Sequence, residues 1–207
     1  WLADICFRTA KENNVKALYL DTEMTTDEIR FRLAGAMTDV PTHALETGKW
    51  RTDPAYFEKV RKAQDQLKEQ NDFYHMHVSN KSIDQICSII KRWYYNEVGR
   101  GNPCLIVYDY VKLTGEKVGQ NWAEYQAIGE KINRLKEIAV EVNAPMLTAM
   151  QLNRSAEGAN RVDNSSAIAV SDRLQWFAAF VGIFRQKSDE ELMLDNEYDE
   201  NGNMTYD

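Results

Sequence analysis

CLIVYDY, residues 104–110, decides the fold: an uninterrupted apolar and aromatic run stops at Asp109. GRGNP, the turn-forming stretch at residues 99–103, precedes it. An unbroken apolar run bounded in this way reads as a strand buried on both faces, and such strands belong to parallel sheets covered by helices. Two other segments share the pattern. VKALYLDTEM (15–24) places Asp21 and Glu23 after LYL, and MLTAM (146–150), opened by Pro145, leads to Gln151. In an open parallel sheet the carboxyl ends of the strands lie along one edge, where ligands bind. Asp21, Glu23, Asp109 and Gln151 are therefore expected to converge.

The segments between these strands have helical spacing. Leu2, Ile5, Cys6, Thr9 and Ala10 begin an amphipathic pattern at the first residue, as though the chain opened inside a helix. Thr25 caps a helix predicted to run to about Met37, with Asp27 and Glu28 in its first turn. Asp53-Pro54 is an N-cap and N1 pair opening a charged helix to about Gln70, with Phe57, Val60, Ala63 and Leu67 as its stripe. Residues 73–78 form a short strand, and 82–98 carry Ile83, Ile86, Cys87, Ile90, Trp93 and Tyr94 at helical spacing. Residues 122–142 repeat apolar positions from Tyr125 to Val142 every three or four residues. Residues 152–171 read as a long loop, a length more often functional than incidental. A final core strand is expected over 177–185, then a hairpin around the Asn201-Gly202 turn. Strands alternating with helices make an α/β domain with a mainly parallel sheet.

Composition narrows the class. The chain has 207 residues, 43% hydrophobic and 28% charged, which suits one folded domain and excludes a disordered chain. No apolar stretch reaches the length of a membrane span and no signal peptide opens the chain, so a cytoplasmic location is expected. Cys6, Cys87 and Cys104 lack metal-site spacing and read as reduced core residues. His43, His75 and His77 form no useful metal spacing. Trp93, Tyr94 and Trp176 fall in apolar periodic segments, which leaves Trp50 and Trp122 as surface positions where a base could stack. A net charge of −7 gives no global attraction for nucleic acid. Local positive rings remain possible, because distant acids are screened beyond a Debye length of about 8 Å.

The strand-end groups suit a particular chemistry. Phosphoryl transfer needs an acid near magnesium, a second acid to polarise the attacking water, and a neutral amide to sense the γ-phosphate. Asp109, Glu23 and Gln151 supply these types in that order of role.

LDTEM, LIVYDYVKL and KEIAVEVNAPMLTAMQLNRS resemble, in order and spacing, the first acidic motif, the Walker B strand with its following loop, and the sensor motif of DnaB-type replicative helicases. The resemblance extends from residue 1 to about residue 187. It implies an α/β RecA-like P-loop NTPase core with ATP and Mg2+ as cofactors, in which residues 1–207 form a single partial motor domain, truncated at both ends. It implies Glu23 as the general base toward water, Asp109 as the Walker B acid acting on magnesium through water, and Gln151 as the γ-phosphate sensor. Arg32, in RFRLAGAM, matches a family arginine and equally suits a helix-surface ion pair. In such hexamers the loops after Walker B and after QLNRS line a central channel. Lys112, Lys117, Arg154 and Arg161 thereby become candidates for contact with single-stranded DNA. A homohexameric ring and a primase or helicase loader are the other implied partners.

There are departures from the pattern. The GxxxxGK[ST] phosphate loop has no counterpart in these residues and is expected just before Trp1; without it this segment alone should bind ATP poorly. SDRLQWFAAFVGIFRQK departs from the acidic residues usual in the equivalent segment, and only Gln175 and Arg185 align comfortably. The arginine finger is expected beyond Asp207. Two other readings remain open: a RecA-type recombinase or repair ATPase, which shares the strand-end acids, and a non-catalytic assembly module.

Overall fold

The computed structural model describes residues 1–112, 124–150, 177–182, 184, 187, 191, 197–198 and 204–205. The main sheet consists of β1 (Lys16–Asp21), β2 (Phe73–His77), β3 (Cys104–Asp109) and β4 (Met146–Thr148), all parallel, in the order β2-β1-β3-β4. The helices are α1 (Leu2–Asn13), α2 (Thr26–Thr38), α3 (Thr42–Glu46), α4 (Pro54–Glu69), α5 (Ile83–Trp93) and α6 (Glu124–Glu141).

Period-two alternation divides the central strands between two cores. Leu18, Leu20, Ile106 and Tyr108 join Ile86 and Ile90 of α5 and Leu135 and Ile138 of α6 on one face. Ala17, Tyr19 and Val107 join Cys6, Phe7 and Ala10 of α1 and Ile29 and Leu33 of α2 on the other. The register sets Tyr19 beside Val107 and Asp21 beside Asp109, so Tyr19, Asp21 and Asp109 belong to the second face. A smaller cluster joins Ala34 of α2 and Ala44 and Leu45 of α3 to Val60 and Ala63 of α4.

The predicted helix starts are present with their hydrogen bonds. Thr25 and Glu28 form a reciprocal capping box on α2, Ser82 and Gln85 form another on α5, and Asp53 caps α4 with Pro54 following. The pattern over 82–98 is helical throughout, but its last turn, Tyr94–Val98, is a π-turn that ends at Gly99 with φ 82°. β4 pairs over three residues of the predicted MLTAM.

Two expectations are corrected. The described residues of 177–185 have no strand pairing, and Phe180 and Phe184 are 86% and 85% exposed, with Phe184 lying 5.3 Å from the Trp1 ring. Apolar content alone does not make a strand, because its backbone groups need ladder partners alongside. Trp50 is no surface platform. It lies 6% exposed in the smaller core, stacked on Phe57 with the Arg51 guanidinium 4.6 Å from its ring, because the 3-10 turn Lys49–Arg51 folds back on α4 while α3 packs on α2.

The three cysteines are buried and free, as expected. Strands β5 (Glu197–Tyr198) and β6 (Met204–Thr205) pair antiparallel as the hairpin predicts, although its Asn-Gly turn lies outside the described residues. Among the described residues, no helix is long and apolar enough to cross a membrane and no group of three or more His, Cys, Asp or Glu residues could hold a metal ion.

Candidate functional site

The carboxyl ends of three strands are joined by backbone hydrogen bonds just beyond the ladders. Thr22 N donates to Asp109 O at 2.9 Å, and Val111 N donates to Ala149 O at 3.0 Å. A cleft of about 510 Å³ opens there, lined by Glu23, Asp109, Tyr110, Ala149 and Met150. Two of the three predicted catalytic groups, Glu23 and Asp109, thus share one cavity. The third, Gln151, directly follows the lining residue Met150 but lies outside the described residues, as do Lys117, Arg154 and Arg161.

Asp21 shapes the exit of β1. Its Oδ1 accepts hydrogen bonds from the backbone N–H groups of Glu23 and Met24, both at 2.6 Å, an Asx-type turn that swings Glu23 out of the strand. His77 Nδ1 lies 2.9 Å from the Met24 carbonyl, joining this turn to β2. Glu23 Oε1 accepts from Lys112 Nζ and from the Tyr110 hydroxyl, each at 3.0 Å. These bonds, Lys112 first and Tyr110 second, hold the Glu23 carboxyl below its usual range. Arg32 is an exposed residue of α2 whose charge lowers both Glu23 and Glu28.

Asp109 has a buried donor. The hydroxyl of Tyr19, itself 1% exposed, donates to Asp109 Oδ2. Burial pushes the Tyr19 phenol well above its ordinary pKa, and the bond to Asp109 adds to the effect, so Tyr19 remains a neutral donor. The peptide between Asp109 and Tyr110 is cis. Oδ2 of Asp21, a residue 1% exposed, is buried with no hydrogen-bond partner among the described residues. Magnesium takes hard oxygen ligands, one or two carboxylates and several waters. The Asp109 carboxylate and the unpartnered Asp21 oxygen, adjacent in register, fit that preference.

Lys112 leaves β3 on a fixed backbone. Its carbonyl accepts from Nζ of Lys131 at 2.7 Å, and Lys131 is a residue of α6 only 1% exposed. Sequence reasoning passed over Tyr19, Tyr110 and Lys131. Signals for two of them existed: alternation puts Tyr19 on the face of Asp21, and Lys131 interrupts an apolar stripe between Ile128 and Leu135.

Comparison with known proteins agrees with this geometry. The family described as DnaB-like helicase C terminal domain matches residues 1–197. The chain is 29% identical over 144 residues to the replicative DNA helicase DnaB of Helicobacter pylori strain ATCC 700392 / 26695, covering 68% of this chain and 27% of that protein. It is 25% identical over 153 residues to DnaB of Synechocystis sp., covering 74% and 17% respectively. A probable replicative DNA helicase of Trieres chinensis is 25% identical over 160 residues, covering 77% and 33%. The chain therefore spans a third or less of the length of these curated relatives. Among solved structures, one ATPase domain superposes with a TM-score of 0.72 at 18% identity, covering 85% of this chain and 62% of that one. A DnaB-like replicative helicase studied with primase gives 0.72 at 17%, covering 86% and 43%. These two likenesses establish the fold as that of the RecA-like ATPase domains. With the family match over nearly the whole sequence, the chain belongs to the DnaB-like helicase C-terminal domain family.

Proposed function

We propose that residues 1–207 are part of one motor domain of a cytoplasmic replicative DNA helicase, which couples ATP hydrolysis to translocation along single-stranded DNA and separation of the duplex. The observation that carries this reading is the shared cleft: Glu23 from the exit of β1 and Asp109 from the exit of β3 face one cavity that reaches the residue before Gln151.

Glu23 orients the attacking water and accepts its proton. Asp109, held by Tyr19 with Asp21 beside it in register, is the residue that would hold Mg2+ through water. Magnesium, when bound, neutralises charge developing on the transferring phosphoryl group. Gln151 senses the γ-phosphate and passes its loss to the DNA-facing loops. Lys112, Lys117, Arg154 and Arg161 meet the phosphates of the strand inside a homohexameric ring. A primase or a helicase loader is the further partner that this reading implies. The primase association printed for one solved relative belongs to that protein.

The test is Glu23→Gln in the full-length protein, which keeps the shape of the side chain and removes its basicity. DNA-dependent ATP hydrolysis should fall by about 10²- to 10⁴-fold, the usual contribution of a positioned general base, with ATP binding retained. Full DNA-dependent turnover in this variant would refute the assignment. A wild-type ring that assembles without any turnover would favour the non-catalytic assembly reading.

A further inference from the structure

Lys112 sits where two proposed roles meet. Its Nζ lies 3.0 Å from Glu23 Oε1 and 4.9 Å from the centre of the Tyr110 ring, while Tyr110 donates to the same Glu23 oxygen. The backbone beneath it is fixed: Lys131 holds the Lys112 carbonyl from α6, and Val111 N is bonded to Ala149 beyond β4. The side chains are far less constrained, with Glu23 56% and Lys112 29% exposed. Only a rotation of the lysine stem is needed to part them.

Both bonds fall on Oε1, and a carboxylate that shares its charge with an ammonium and a hydroxyl is a weaker base toward water than a free one. An ammonium has one charge to offer, so a phosphate oxygen and Glu23 compete for it. We propose that Lys112 is a positioning residue that couples the strand to hydrolysis: without DNA it holds Glu23 in an ion pair, and a backbone phosphate of single-stranded DNA draws it away and frees Glu23 to activate water. This proposal rests on the reading of Glu23 as the water-activating group. Exchange of partners is energetically accessible, because an ion pair this exposed contributes little, whereas neutralising a DNA phosphate releases condensed counterions. Lysine suits the exchange better than arginine, being a compact point charge on a flexible stem rather than a planar fork that locks onto a carboxylate.

The experiment compares wild type, Lys112→Ala and Lys112→Arg in the full-length protein, with steady-state ATP hydrolysis measured with and without oligothymidylate. Binding of oligothymidylate is followed across a salt series. In Lys112→Ala the DNA-free rate should rise about two- to fivefold, the scale set by loss of a partly exposed ion pair, and the stimulation ratio should fall. The salt slope of DNA binding should become shallower by about 0.7, as for one lost single-strand phosphate contact. Lys112→Arg should restore the restrained DNA-free rate and the salt slope. Unchanged DNA-free and stimulated rates in Lys112→Ala, or equal loss of both, would overturn the proposal; so would an unchanged salt slope. Glu23→Gln in parallel separates the two ideas. If Glu23→Gln is inactive and Lys112→Ala behaves as wild type, only the coupling fails; if Glu23→Gln retains full turnover, the reading of Glu23 fails first.

Discussion

His75 shows how a single side chain can tie folding stability to pH. Its Nδ1 meets the Thr26 hydroxyl at 2.9 Å, its ring stacks on Tyr19, and its Nε2 is buried without a partner. Burial is the largest influence and lowers its pKa from 6.5; among the charges facing it, Asp21 opposes the shift, while His77 and Arg30 reinforce it. The fold therefore prefers the neutral ring. Since the unfolded chain takes up a proton first, this contribution to stability is fully present above the unfolded pKa and is lost as pH falls below it toward the lower folded value. A series of urea unfolding midpoints from about pH 7.5 to about pH 5.5 should decline in wild type and decline less in His75→Gln. Parallel curves for the two proteins would show that His75 does not carry the effect.

Among the elements, α5, like α2, begins at a local signal that the sequence displays. Ser82 accepts from Gln85 N at 3.4 Å while Gln85 Oε1 accepts from Ser82 N at 2.9 Å, satisfying two donors that a helix start otherwise leaves to water. The helix then buries Ile86, Ile90 and Trp93 against β1 and β3. Ser82→Ala should cost about 1 kcal/mol, seen as a lower denaturant midpoint at unchanged slope. No loss of stability would mean that core packing alone sets where α5 begins. The sites of these caps could be read directly, because Ser82 and Gln85, like Thr25 and Glu28, are the residue types that bond their own backbone at this spacing. The strand expected at 177–185, unpaired among its described residues, had no such local signal: its apolar residues reported a tendency to be buried, and pairing depends on what lies alongside.

At the scale of the whole molecule, stability is uneven. The central strands β1 and β3 lie between two cores, and Ala17, Leu18, Leu20, Ile106, Val107 and Tyr108 are completely buried. The cluster around Trp50 is a satellite, fed by the five-residue α3 and a 3-10 turn. Segments with fewer buried contacts open locally at lower free energy. Hydrogen exchange on the native protein should therefore release the amides of α3 and the 3-10 turn well before those of β1 and β3. Equal protection of both regions would show that the satellite unfolds only with the sheet. The division places the turn at Glu23 and residues 110–112 at the ends of β1 and β3, the strands covered by a core on each face.

The sequence by itself determined the alternation of strands and helices, the parallel class of the sheet, the helix caps, and the family, because each rests on local spacing or on short motifs such as LDTEM and LIVYDYVKL. It also showed that Glu23 and Asp109 would lie on one edge, since all parallel strands end there. Only the tertiary structure decided which groups hold them. Tyr19 reaches Asp109 because the β1–β3 register sets Tyr19 beside Val107 and Asp21 beside Asp109. Lys112 turns to Glu23 because α6, through the buried Lys131, fixes the backbone on which it stands. Trp50 is interior because α3 and α4 close over it. Spacing along a chain fixes the face on which a side chain emerges; its partner is fixed by register and by how helices pack across the sheet, and neither is encoded in any one segment.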